Sequence, residues 1–330
     1  MLENIVIWLF VSEDCNCKCK YCFVPDKKNK KMMSRDNMYK MLEVANGLID
    51  NNEVRTFNLR ITGGEPLLAF DNFKDILNNL DKSRFTLELN TNATILNDEI
   101  IAWIKNNDIS PGISLDNIGF QKPFINGKSS HEVVIKNIET LAKNNVSMGI
   151  CTVFDYRNFD SFVDLANFVC DHKQHVGEFS CSTDFIEDYF DENDVNKMEK
   201  IYKEIIDVLY KRNFDIFNIL KFENVKLGQI SYCPAGRDLI SVDADLNVSP
   251  CQSLINEIDL GKFDKNVIER MSIQDNNRYY WERGLPELCD NCKIFDFCFG
   301  GCRLQHKHLN VLKNRCELRK RVFKYVQRYI

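Results

Sequence analysis

The sequence predicts an α/β fold with parallel strands, followed by a smaller cysteine-rich domain. Six strand-like segments alternate with amphipathic segments over the first two-thirds of the chain. The alternation stops near residues 224–230, where short strands, turns and cysteines take over. The length of 330 residues corresponds to about two domains of ordinary size.

The predicted strands are short apolar or alternating runs bounded by Gly, Asn or Asp. They cover residues 4–11, 56–62, 86–90, 112–115, 147–154 and 178–185. Helices are predicted after Ser34 and Ser130 and over residues 71–80, 98–106, 160–169 and 193–209. Strand–helix units in series predict a parallel sheet, either doubly wound or an incomplete barrel, with its chemistry at the carboxyl ends of the strands.

The helix after Ser34 is the one that the sequence predicts most directly. Ser34 is a suitable N-cap, and apolar side chains then recur at helical spacing on one face, at Met38, Met41, Leu42, Ala45 and Leu48. In the C-terminal part, short strands are predicted at 239–242 and 246–248. A final helix over about 309–330 closes the chain.

Composition and charge exclude several classes of protein. Apolar residues make up 44% of the chain, which is too many for global disorder. The net charge of −5 argues against binding to nucleic acid through a basic surface. The apolar run at 5–11 is too short to span a membrane and lacks the flanks of a signal peptide. We therefore expect a cytoplasmic protein without a membrane partner.

Cysteine is the unusual residue of this sequence. Four of the 14 cysteines fall within residues 15–22 and five within 289–316. Cysteines stay reduced in the cytoplasm, so clusters of this kind indicate metal ligation rather than a disulfide framework.

The first predicted strand leads directly into Cys15, Cys19 and Cys22, which are spaced C-x3-C-x2-C. Three thiolates on one loop can bind three irons of a [4Fe–4S] cluster and leave the fourth iron without a protein ligand. A structural zinc site with Cys17 as its fourth ligand is the alternative. An extended loop would point Cys17 away from its neighbours.

This arrangement resembles the signature of the radical S-adenosylmethionine (SAM) superfamily, in which C-x3-C-x2-C follows the first strand of a partial (β/α)6 barrel. Tyr21 matches the aromatic residue before the last cysteine. Gly63-Gly64-Glu65-Pro66, at the end of the second strand, resembles the motif that binds the amino group of SAM. The resemblance implies that SAM occupies the fourth iron. It also implies that the reduced cluster cleaves SAM to a radical that takes a hydrogen atom from the substrate.

Two weaker motifs imply further contacts with SAM. The segment containing Asn90 and Asn92 resembles the family's third-strand motif, with Ala93 in place of its glycine, and Ser114-Leu-Asp116 resembles the fourth-strand motif. Turn or capping roles are the alternative for each of these residues. The Arg that often follows the fourth-strand motif is missing, and Lys122 is its candidate substitute.

Seven C-terminal cysteines resemble the SPASM domain of peptide-modifying radical SAM enzymes. The resemblance implies two auxiliary [4Fe–4S] clusters. The distal cluster would have four ligands, Cys289, Cys292, Cys298 and Cys316. The proximal cluster would have three, Cys233, Cys251 and Cys302, and its fourth ligand stays open. A zinc ribbon is the alternative for this block. Leu246 replaces the pattern's glycine five residues before the second cysteine, so we expect that turn to adopt a different conformation.

The resemblances together predict a partial (β/α)6 radical SAM barrel over residues 1–225 and a small SPASM domain with a closing helix over 226–330. The predicted activity is peptide or protein modification in an anaerobic cytoplasm, by thioether or carbon–carbon crosslinking, epimerisation or side-chain oxidation. The predicted electron donor is of the flavodoxin or ferredoxin type. No catalytic acid or base is assigned.

Three other functions stay open. One is an anaerobic sulfatase maturase that forms formylglycine, although Gln252 stands where that group has an aspartate acting as general base. Another is small-molecule oxidation, and a third is a non-catalytic iron–sulfur or zinc protein. The last helix is strongly basic, which predicts a solvated face; a docking strip for an acidic leader peptide or a reductase is the alternative.

Overall fold

A computed structural model describes residues 1–19, 21–22, 24, 31–116, 118, 122–153, 161–182, 191–215, 234–255, 257–275, 287–298, 300–301 and 309–329. The chain forms two compact units, each assembled from several stretches. The first contains Met1–Ser114, Lys122–Ser147 and Pro234–Tyr279, and the second contains Leu115–Gln121, Met148–Cys233 and Tyr280–Ile330. The predicted boundary at residue 225 lies outside the described residues.

The first unit is a sheet with interleaved helices. Its elements are β1 (Leu2–Ser12), α1 (Arg35–Asp50), β2 (Val54–Gly63), α2 (Phe70–Asn78), β3 (Phe85–Thr91), α3 (Asp98–Asn106), β4 (Gly112–Ser114), α4 (His131–Lys143), β7 (Leu239–Val242), β8 (Val248–Ser249) and α7 (Val267–Asp275). The strand order is β4-β3-β2-β1-β7-β8. Neighbouring strands are parallel, except for the antiparallel pair of β7 and β8.

The second unit contains two strands and the two longest helices of the described residues. Its elements are β5 (Met148–Val153), α5 (Phe162–Asp171), β6 (Val176–Ser182), α6 (Glu192–Lys211), α8 (Phe295–Cys298) and α9 (Leu309–Val326). Strands β5 and β6 are parallel. Across the parts of the chain that the structure describes, no helix combines the length and the apolar character needed to cross a bilayer.

Burial of alternating apolar side chains explains the strands of the first unit. Ile7 of β1 lies opposite Leu59 of β2, and both are fully buried, as are Leu9 and Ile61. Helix α1 buries the face that the sequence predicted, and the Ser34 hydroxyl caps it by accepting a hydrogen bond from the Asn37 amide at 3.1 Å.

The α/β fold with parallel strands is confirmed, and the predicted strands and helices agree with the structure to within a few residues. Strand β6 begins two residues earlier than predicted, at Val176, and the predicted residues 183–185 lie outside the described residues. In the first unit, β1 to β4 end at Ser12, Gly63, Thr91 and Ser114. Most of the predicted cofactor-binding residues lie at or just beyond these four carboxyl ends.

Candidate active site

The predicted cluster loop begins where β1 ends. Cys15 and Cys17 are buried, whereas Cys19 and Cys22 are partly exposed. A thiol set that is partly buried, with an accessible side, suits a soft metal cluster that must also admit a ligand from solvent.

Gly63 and Gly64 let β2 pack directly against this loop. The Gly64 amide donates to the Ser12 carbonyl at 2.7 Å. A Cβ atom on Gly63 would lie 1.9 Å from the Ser12 oxygen, and one on Gly64 would lie 2.4 Å from the Asp14 oxygen. Gly63 also has a φ of 142°. Only glycine fits at these two positions, so the motif fixes how the cluster loop leaves its strand.

Glu65 joins the ends of β2 and β3. Its fully buried carboxyl accepts hydrogen bonds from the Thr91 hydroxyl at 2.6 Å, the Asn92 amide at 2.8 Å and the Leu67 amide at 3.2 Å. Burial raises the pKa of Glu65 to about 7, and these hydrogen bonds oppose the rise. In this chain, Glu65 therefore holds the ends of β2 and β3 together. Its contact with the amino group of SAM stays a prediction.

Asn92 points its amide group at the cluster loop. Its Nδ2 lies 3.5 Å from the Cys17 Sγ, 3.9 Å from the Cys15 Sγ and 3.0 Å from the Asn16 Oδ1. Its Oδ1 accepts from the backbone amide of Thr94 at 2.9 Å and from the Thr94 hydroxyl at 2.6 Å. Thr94 thus fixes the orientation of the amide, so that the donor side faces the thiols.

Sequence reasoning missed Thr94 and Asn16, which complete this network. The Asn16 Nδ2 donates to the Thr94 hydroxyl at 2.8 Å. Thr94 carries no signal in the sequence beyond that of an ordinary turn residue. Ala93, which stands where the family's motif has glycine, has a φ of 54°, in the left-handed region that favours glycine.

Cys17 lies beside Cys15 instead of pointing away from it, contrary to the expectation from an extended loop. The Cys17 amide is 3.4 Å from the Cys15 Sγ. The hydrogen bond with Cys15 and burial both raise the pKa of Cys17. Cys17 therefore stays the alternative ligand of this loop.

A single structural metal ion is the alternative occupant for the cysteines of this loop. Within the described ranges, no three His, Cys, Asp or Glu side chains come together as they would around one ion. A zinc site needs four such ligands within about 2.3 Å of the metal. The C-x3-C-x2-C thiols suit a cluster of several irons, because each thiolate then binds a different corner.

The remaining predicted SAM contacts lie in different surroundings. Asn90 is partly buried in β3, and Ser114 is partly buried at the end of β4. The Lys122 Nζ lies over the Tyr21 ring, 5.5 Å from its centroid. In the second unit, Asp116 is buried, and its Oδ1 accepts from the Val153 amide at 3.2 Å. Asp116 therefore braces β5.

The predicted distal-cluster cysteines all belong to the second unit and are partly buried. Burial and the nearby Cys298 and Cys289 raise the pKa of Cys316 to about 11, and Arg319 opposes the rise. Thiolates are the donors that an iron–sulfur cluster requires. Cys251 is partly buried in the first unit. Cys233 and Cys302 lie outside the described residues.

The turn before Cys251 bears on one expectation. Leu246 has a φ of 67°, in the left-handed region that favours glycine, so the replacement of glycine by leucine does not exclude that conformation here. Asp243 stabilises this turn, since its Oδ1 accepts from the amides of Asp245 at 2.9 Å and Asn247 at 2.8 Å. The Leu246 side chain is buried, which offsets the backbone strain.

Comparisons with known proteins find radical SAM relatives along this chain. The Radical SAM superfamily model matches residues 9–169. The radical SAM cyclopropyl synthase TigE of Paramaledivibacter caminithermalis is 24% identical over 95% of this chain and 72% of that protein. A cysteine-type anaerobic sulfatase-maturating enzyme of Clostridium novyi is 23% identical over 88% of this chain and 86% of its own length.

The fold matches a solved structure over nearly its whole length. Native anSMEcpe with bound AdoMet and Cp18Cys peptide aligns with a TM-score of 0.81 and 20% sequence identity, over 99% of this chain and 97% of that one. The family match runs from the end of β1 into α5 and includes the C-x3-C-x2-C loop. The chain therefore contains a radical SAM domain over residues 9–169.

Proposed function

We propose that this radical SAM enzyme modifies a peptide or a protein in an anaerobic cytoplasm, with a flavodoxin- or ferredoxin-type donor as its reductant. The observation that carries the proposal is the convergence of the Cys15–Cys22 loop, Gly63-Gly64 and Asn92 at adjacent strand ends. Its relatives support a macromolecular substrate, because one matures sulfatases and a structure of similar fold contains a peptide.

In this proposal, Cys15, Cys19 and Cys22 hold a [4Fe–4S] cluster. Radical SAM enzymes use such a cluster together with SAM, and when bound it supplies the electron that splits SAM into methionine and a 5′-deoxyadenosyl radical. Gly63 and Gly64 leave the backbone open to a ligand, and Asn92 directs its amide donor at the sulfurs.

The C-terminal cysteines hold two auxiliary clusters in this proposal. Cys289, Cys292, Cys298 and Cys316 hold the distal one. Cys233, Cys251 and Cys302 hold the proximal one. SPASM-type relatives such as the sulfatase maturases carry auxiliary clusters of this kind.

Sulfatase maturation is the second candidate, favoured by the relative from Clostridium novyi and by the fold match. The residue after Cys251 opposes it. Gln252 begins a short 3₁₀ turn, and its amide cannot take a proton from the substrate as a carboxylate would. We therefore rank maturation of another peptide or protein first.

Anaerobic reconstitution followed by an assay for 5′-deoxyadenosine tests the proposal. We expect the wild-type protein to release 5′-deoxyadenosine from SAM and dithionite, and the C15A/C19A/C22A variant to release none. C170A is the matched control, because Cys170 is a buried cysteine of α5, outside both cysteine clusters, and its variant should retain the activity.

The substrate is then sought by mass spectrometry. Peptides encoded beside the gene and a cysteine-containing sulfatase peptide are incubated with the reconstituted enzyme. A modified neighbouring peptide would support the first candidate, and an aldehyde on the sulfatase peptide would support the second. A fully iron-loaded protein that releases no 5′-deoxyadenosine would overturn both.

A further inference from the structure

We propose that Arg319 donates a charged hydrogen bond to the Cys298 sulfur and thereby raises the reduction potential of the distal auxiliary cluster. The inference rests on the proposed function, because it takes Cys289, Cys292, Cys298 and Cys316 as ligands of that cluster. It assigns Arg319 a positioning role in electron transfer that the basic composition of α9 does not reveal.

The contact itself is direct. The Arg319 Nη1 donates to the Cys298 Sγ at 3.3 Å. Arg319 follows Cys316 by three residues in α9, which places both side chains on the same face of that helix. Its guanidinium therefore lies beside two of the four predicted ligands.

Gly301 leaves the space that this contact requires. A Cβ atom on Gly301 would lie 2.2 Å from the Arg319 Nη1, and the residue has a left-handed φ of 69°. The Gly301 amide donates to the Cys298 carbonyl at 2.8 Å. The same turn thus holds Cys298 and makes room for the guanidinium next to it.

Other basic residues of α9 have different surroundings. Arg321 pairs with Glu317 at 2.8 Å and with Glu199 at 3.1 Å. Arg328, just beyond the end of α9, lies over the Tyr325 ring, 4.8 Å from its centroid. Lys324 is exposed to solvent. Arg319 therefore does not belong to the solvated basic face that the sequence predicted for this helix.

The consequence is a shift in redox equilibrium. One-electron reduction adds a negative charge to a cluster and its thiolates. A guanidinium keeps its positive charge at all accessible pH values and binds the more negative state more strongly. Hydrogen bonds to the sulfurs and nearby charge are established determinants of cluster potential.

Potentiometric titration with dithionite, followed by electron paramagnetic resonance, tests the proposal. The titration uses the full chain with Cys15, Cys19 and Cys22 replaced by alanine, so that only the auxiliary clusters respond. In Arg319→Gln, we expect at least a tenfold lower ratio of reduced to oxidised distal cluster at a fixed potential. This corresponds to a negative shift of about 59 mV for one electron.

Two further variants separate the effect of positive charge on the helix from the effect of the position of the Arg319 guanidinium. Lys324→Gln removes one exposed positive charge from the same helix and should leave both auxiliary transitions unchanged. Gly301→Ala keeps the charge of Arg319 but pushes the guanidinium away from Cys298, so it should shift the potential in the same direction as Arg319→Gln. The proximal cluster serves as an internal reference in Arg319→Gln and Lys324→Gln, but not in Gly301→Ala, because Gly301 directly precedes the predicted proximal ligand Cys302.

An unchanged distal potential in iron-loaded Arg319→Gln would overturn the proposal and leave the proposed function intact. If Arg319→Gln loses iron, an unchanged potential in Gly301→Ala would overturn it instead. Failure of the proposed function looks different. In that case, the chain with all seven C-terminal cysteines would take up no iron at the auxiliary sites.

Discussion

At the scale of single residues, two glycines and one asparagine shape the start of the active site. Gly63 and Gly64 allow the end of β2 to touch the backbone of Ser12 and Asp14, and Asn92 turns its amide toward Cys15. Each contact joins the cluster loop to a strand end, so the geometry of the loop depends on residues that do not bind metal.

Gly63→Ala should lower SAM cleavage at least tenfold. The added Cβ would overlap the Ser12 oxygen, and relieving this overlap would displace the cluster loop at a cost of about 1–3 kcal/mol in the free energy of unfolding. Gly127→Ala is the matched control. Gly127 has a φ of 83°, and a Cβ atom added there would meet no other atom within 4 Å, so its variant carries backbone strain without overlap.

The readouts are iron content and 5′-deoxyadenosine formation after reconstitution. We expect at least a tenfold loss of product in Gly63→Ala and near wild-type product in Gly127→Ala. Equal activity of the two variants would show that close packing of β2 against the loop is not required.

Positions at which the site needs one particular residue type were predictable from the sequence. The residues that hydrogen-bond to them were not. Thiols for a cluster and glycines for a close approach can be recognised locally. The hydrogen bond between Asn16 and Thr94 joins positions 78 residues apart, and neither residue carries a distinguishing pattern. Leu246 shows the opposite case. The local rule that a left-handed backbone position favours glycine fails here, because burial of the leucine side chain and the hydrogen bonds of Asp243 stabilise the turn.

At the scale of elements, α9 is fastened to α6 within the second unit. Val322, Phe323 and Val326 are buried, which confirms the apolar face predicted for this helix. The hydroxyls of Tyr325 and Tyr329 both donate to the Asp207 Oδ1, the former at 2.7 Å. The helix that carries Cys316 is thus fixed by a polar contact as well as by an apolar face.

Removing both hydroxyls should lower the thermal stability in a pH-dependent manner. Burial raises the pKa of Asp207, but the hydrogen bonds from Tyr329 and Tyr325 outweigh burial, and the net pKa is lowered. A lowered carboxyl pKa stabilises the fold above the unfolded-state value of about 3.9. That contribution is lost as the pH falls through the folded-state value.

Tyr325→Phe/Tyr329→Phe should therefore unfold at a lower temperature than wild type at pH 7, by an amount equivalent to about 1 kcal/mol per hydroxyl. The difference should shrink as the pH is lowered toward 3. Tyr39→Phe is the control, because Tyr39 is exposed on α1. A melting difference that does not change with pH would contradict the role given to Asp207.

At the scale of the whole molecule, the periodicity of apolar residues predicted the succession of strands and helices along the chain, because each element buries its own apolar face. The six strand–helix repeats and the closing helix could be placed in this way. The division into two compact units could not, since Leu115–Gln121 and Lys122–Ser147 follow each other in the chain but belong to different units. Such a division is set by long-range packing, which sequence periodicity does not encode.

The central claim is that Cys15, Cys19 and Cys22 hold a cluster with one iron left for SAM. Electron–nuclear double resonance of the reduced protein, with SAM labelled at its amino nitrogen and carboxylate oxygen, tests this claim most directly. We expect coupling of both labels to the cluster in the wild type and none in the C15A/C19A/C22A variant. SAM that binds to the iron-loaded wild type without such coupling would contradict the account.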